Sequence, residues 1–125
     1  MQLLSHHSAA QLKVHHPEAG EELRRLEILL DQSSLDDGLL ALCRRYFETE
    51  LRHQPWDPPA SPTPLEAACL EFCEQFRVSV DTMSDAQVQA LLAHLSADDV
   101  YNLASAVYLL ELSCRLDLTL EAVLP

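Results

Sequence analysis

Three helix-start signals in the second half of the chain fix its fold class more firmly than any other feature. Thr63-Pro64-Leu65-Glu66 joins a capping box to proline at the first helical position, where the missing amide donor is one that no helix can use. Ser84-Asp85-Ala86-Gln87 is a second capping box. Ser96 is a third cap, with Asp98 and Asp99 near the positive end of its helix. Each signal opens an apolar stripe at three-four spacing. The first runs Leu65, Ala68, Cys69, Phe72, Cys73, Phe76. The second is Val88, Leu91, Leu92, Leu95. The third is Val100, Leu103, Ala104, Val107, Leu110 or Glu111, and Cys114. Thr119 is read as the cap of a last short turn through Val123.

The first half follows the same grammar. Residues 1–15 are mildly amphipathic and predict a short helix or a docking arm. His16-Pro17-Glu18 suits a helix start, with Leu23, Leu26, Leu29 and Leu30 as its buried face to about Asp31. Ser34 is the expected cap of the next helix, whose stripe is Leu39, Leu42, Cys43, Tyr46 and Phe47 and which fades near His53. Pro55, Pro58, Pro59, Pro62 and Pro64 then remove donors and restrict their neighbours, which makes 55–63 an extended linker. No alternating β-branched run reads as a strand. The expectation is one all-α domain of about five or six helices, with N-terminal helices over 1–54 and C-terminal helices over 64–125.

With 125 residues the chain can bury about two thirds of its unfolded surface. Its 48% hydrophobic content is too high for a disordered chain. Two glycines, Gly20 and Gly38, are too few for a phosphate-cradling loop. Eight basic residues against twenty acidic ones give a net charge of −12, the wrong sign for nucleic acid or an anionic membrane. No apolar run reaches the roughly 18 residues of a membrane helix, and no secretory signal stands at the N-terminus. A cytoplasmic location with reduced cysteines is therefore expected.

The order of these signals resembles the carboxymuconolactone decarboxylase / alkylhydroperoxidase D-like superfamily across nearly the whole chain. His16-Pro17-Glu18 is similar to that family's opening helix, and Ser34-Leu35-Asp36 to the start of its second. Thr63 to Ala68, Ser84 to Leu95 and Ser96 to Arg115 resemble its final three helices. The resemblance implies a helical frame that assembles as trimers or hexamers. It also implies a glutamate, a Cys-x-x-Cys and a histidine in the peroxidase branch, or lactone-acid decarboxylation in the branch without the cysteine pair. At the corresponding positions this chain has Ala41 for the glutamate, and His53 and Trp56 for the cysteines. The expectation is a divergent member without thiol peroxidase activity, acting as a homo-oligomeric binding or assembly module. The alternative is a peroxidase or lyase with relocated chemistry.

Three residues are the candidates for such chemistry: His53, Cys69 and Cys73. Cys69 and Cys73 share one helix face with Cβ atoms roughly 6 Å apart. A relaxed disulfide needs about 3.5–4.5 Å. Both lie on an apolar stripe among acids, Glu71 and Glu74, so they read first as core thiols. Cys43 has Arg44 and Arg45 beside it in sequence, but adjacent helical residues point elsewhere. His53, ending a helix beside Trp56, is the acid/base candidate, against the plainer reading of a surface helix-terminal histidine. His6-His7 and His15-His16 cannot chelate within one helix, because neighbours diverge by about 100°. No metal and no cofactor is expected. Phe72, Phe76, Tyr101 and Tyr108 are expected to pack.

Overall fold

A computed structural model describes residues 1–123 and contains six α-helices and no strand among them. The helices are α1 (His6–His15), α2 (Pro17–Asp31), α3 (Asp37–Leu51), α4 (Pro64–Ser79), α5 (Asp85–Leu92) and α6 (Ala97–Val123). A single 3-10 turn, Val80–Thr82, follows α4. The all-α expectation holds. Leu124 and Pro125, which close the expected domain, lie outside the described residues.

Local chemistry sets the boundaries. Ser5 caps α1 by accepting from the Ser8 amide at 3.2 Å. His16 precedes proline and is therefore pushed out of the helical region, to φ −143° and ψ 72°. That one residue separates α1 from α2, which pack on each other. Both expected capping boxes form, at Thr63/Glu66 and Ser84/Gln87. Ser96 accepts from the Asp99 amide at 3.1 Å.

Four details differ from the sequence reading. The cap of α3 is Asp36, not Ser34; its carboxylate accepts from the Leu39 amide at 3.1 Å, and Ser34 instead donates to Asp99. Leu29 is exposed, because α2 is covered along one edge only and its neighbour Leu30 takes the core position. Tyr101 is 74% exposed rather than packed. Thr119 starts no new turn: α6 runs unbroken to Val123, and the Thr119 hydroxyl donates to the Arg115 carbonyl one turn back at 2.9 Å.

The core forms where α3 meets α4 and α6, with α5 closing one side. Phe47, Leu40, Leu91, Leu103, Val107 and Leu110 are among its fully buried side chains. Removing a side chain of this kind from water contributes about 1.5–3 kcal/mol. The first residues are an inserted arm as well as a lead-in to α1. Leu3 and Leu4 are buried at 2% and 1% exposure. The Leu3 amide donates to Glu27 at 3.1 Å, and its carbonyl accepts from Arg44 at 3.2 Å.

Candidate functional site

The helix stripes bring three sulfurs to one place. Cys43 comes from α3, and Cys69 and Cys73 from α4; all three are 0% exposed. Cys43 and Cys73 are in hydrogen-bonding contact, and Cys69 is close enough to Cys43 to feel its charge. Cys114 on α6 is buried at 5% exposure. All four are free thiols. The cations beside Cys43 in sequence are engaged elsewhere. Arg44 bonds Glu48 at 2.7 Å, and Arg45 lies over the Trp56 ring at 5.3 Å.

The surroundings of Cys69, Cys73 and Cys114 oppose thiolate formation. Burial, then Cys43 and Glu66, push the Cys69 thiol up to about 12. The hydrogen bond with Cys43, then burial and the neighbouring Cys43, Cys69 and Glu111, push Cys73 up strongly. Burial, followed by Glu48, pushes Cys114 up to about 12, against the opposing pull of Arg44. A thiol with a pKa of about 12 is ionised at pH 7 to roughly one part in 10⁵. The acids that matter are Glu66 and Glu111, whereas the sequence pointed to Glu71 and Glu74. Glu111 accepts from the Arg115 Nε at 2.9 Å through one oxygen. Its other oxygen is buried with no hydrogen-bond partner among the described residues.

His53 stands apart from the sulfurs. It ends α3 in a Schellman arrangement: its amide donates to the Glu50 carbonyl at 3.1 Å, and the Gln54 amide reaches the Thr49 carbonyl at 3.0 Å. Its φ of 56° is the left-handed value that this ending requires. The side chain is exposed, and Cys43 lies ten residues earlier in the same helix, about 15 Å along its axis. Ala41, at the position where the family resemblance calls for a glutamate, faces solvent.

Trp56 folds back from the linker onto α3, where its ring meets Tyr46 edge-on at 5.4 Å. The Arg77 guanidinium donates to the Tyr46 hydroxyl at 3.2 Å and lies 3.7 Å from Glu50. Burial, partly offset by Arg77, raises the Tyr46 phenol above its ordinary value. Trp56 therefore pins the proline-rich linker. His53, Trp56 and the thiols do not converge on a shared opening.

Two further features were not legible from motifs. An open groove of about 870 Å³ lies between α1, α2 and the first residues, lined by Met1, Leu12, Lys13, Gly20, Leu23 and Arg24 among others. It holds no cysteine and none of the three candidate residues. Asp117 on α6 accepts from the Ser5 amide at 3.2 Å and the Ser5 hydroxyl at 2.9 Å, with Arg52 at 3.8 Å. Asp117 extends the spacing of Leu110 and Cys114 by one step, which was its available sequence signal. Among the described residues no group of His, Cys, Asp and Glu could hold a metal, and no helix is long and apolar enough to cross a membrane.

Fold and site together define an all-helical domain with a sealed thiol cluster. Compared with known proteins, the chain matches no family model, no curated protein and no solved structure.

Proposed function

We propose that this protein is a helical binding or assembly module that forms homo-oligomers, on a frame resembling the alkylhydroperoxidase D-like superfamily but without thiol peroxidase activity. The burial of Cys43, Cys69 and Cys73 at 0% exposure, with Glu66 acting on Cys69 and Glu111 on Cys73, supports this reading most. A peroxidatic thiol must ionise near neutrality and meet peroxide. Cys69 and Cys73 are held neutral, and all three thiols are covered, as core residues are.

One observation favours a second reading, an enzyme with relocated chemistry. Glu111, one oxygen of which is buried without a partner among the described residues, is near enough to Cys73 for its charge to act on the thiol, and a carboxylate near a thiol is equipment for proton transfer. That reading requires α6 to part from α3 and α4 before a substrate arrives. Consumption of hydrogen peroxide or an organic hydroperoxide, with a dithiol as reductant, separates the two. The module reading expects no rate above background. Catalysed consumption that is lost in Cys73→Ala would establish the enzyme instead.

A further inference from the structure

Helix α6 carries apolar and aromatic side chains on both sides, and only one side faces the core. Leu103, Ala106, Val107, Leu110 and Cys114 point inward. The opposite, exposed side reads Tyr101, Ser105, Tyr108, Leu112, Arg115, Thr119, Ala122. Its steps alternate four and three, an average of about 3.5 residues, which is the repeat of a helix seam that packs against another helix. At 1.5 Å per residue the seam is about 32 Å long. Tyr101, Tyr108 and Leu112 on it are 74%, 56% and 49% exposed. In a chain of net charge −12, this line has no acid. Depletion of charge beneath aromatic side chains is what distinguishes the centre of an interface.

Three polar side chains of the seam, Ser105, Thr119 and Arg115, already have partners within the helix. Ser105 donates to the Tyr101 carbonyl at 3.1 Å, and Thr119 to the Arg115 carbonyl at 2.9 Å. Arg115 is held by Glu111 at 2.9 Å. Covering Ser105 and Thr119 therefore orphans neither hydroxyl, which limits the cost of desolvating this line.

We infer that this seam pairs with the same seam of a second copy, antiparallel about a two-fold axis near the level of Leu110. The inference rests on the assembly reading above and specifies its interface. Read backwards, the seam matches itself: Tyr108 faces Leu112 of the other copy, Ser105 faces Arg115, and Tyr101 faces Thr119. This is the self-complementarity that an isologous contact demands. A parallel pairing would place Arg115 against its own equivalent and set two helix dipoles side by side in the same direction, both repulsive. The antiparallel order places each arginine between the tyrosine rings of the partner, where a guanidinium is attracted.

Sedimentation of the full chain over a wide concentration range, with Tyr101→Glu/Leu112→Glu alongside, tests the pairing. Both sites are exposed, so helicity by circular dichroism should be unchanged. The wild type is expected at a mass of at least two chains, and the double variant at half that mass or less. A multimer whose mass the variant leaves unchanged overturns the seam while leaving the assembly reading standing. A wild type that is monomeric throughout overturns both. Orientation is read by oxidising Ser105→Cys and Arg115→Cys variants separately and mixed. The antiparallel seam links them only in the mixture, whereas Arg115→Cys linking to itself equally well would refute that orientation.

Discussion

Replacing Asp117 by asparagine tests how the first residues are held. The carboxylate is 13% exposed and accepts from both the amide and the hydroxyl of Ser5, with Arg52 nearby. Burial by itself raises its pKa. The facing hydroxyls of Ser8 and Ser5, the Ser5 amide and Arg52 outweigh burial, and the net shift is downward. Asparagine keeps the shape but loses the charge and turns one acceptor into a donor. Hydrogen bonds to charged groups contribute about 1.5–3 kcal/mol each, and a reoriented amide retains part of this. A loss of about 2–3 kcal/mol is expected, a fall in Tm of about 10 °C for a domain of this size. The pH dependence has a definite sign. A carboxylate with a folded pKa below its unfolded value stabilises fully above about pH 4, and that contribution disappears as pH falls through the folded value. Urea denaturation of both proteins should therefore show a full gap at pH 7 that closes on acidification below about pH 4. A gap that is absent at pH 7, or that survives full protonation, would refute the reasoning.

Two other changes follow from backbone chemistry. His53→Gly should stabilise the protein by about 0.5–1 kcal/mol in urea denaturation, because glycine accepts the left-handed φ of 56° without the penalty of a side chain; a loss of stability would mean that the imidazole itself is structural. Thr63→Ala removes the side-chain acceptor of the α4 capping box and should cost about 1 kcal/mol in the same assay, with Thr63→Ser recovering most of it.

How far the sequence reaches depends on whether a signal is local. Capping at Thr63 and Ser84, and the break at His16-Pro17, are decided by residues within one helical turn, and they appear where the sequence places them. The sulfurs of Cys43, Cys69 and Cys73 were legible as core positions because they lie on stripes. Their mutual contact was not, since it depends on how α3 crosses α4. The same limit hid the pairing of Asp117 with Ser5, 112 residues away in sequence. Ser34 and Asp36 are both favoured capping residues, and two rivals two positions apart differ only in tertiary context, which the sequence does not carry. Tyr101 shows the opposite failure. Helical spacing identifies a face, and it does not say whether that face meets the core or a second surface.

The most direct measurement is the reactivity of the four thiols toward an excess of an aromatic disulfide reagent near neutral pH, followed by the same count in urea. The sealed cluster predicts almost no release of chromophore from the folded protein and all four equivalents once it unfolds. A single cysteine that reacts within seconds in the folded state, with a pH midpoint below about 7.5, would contradict it.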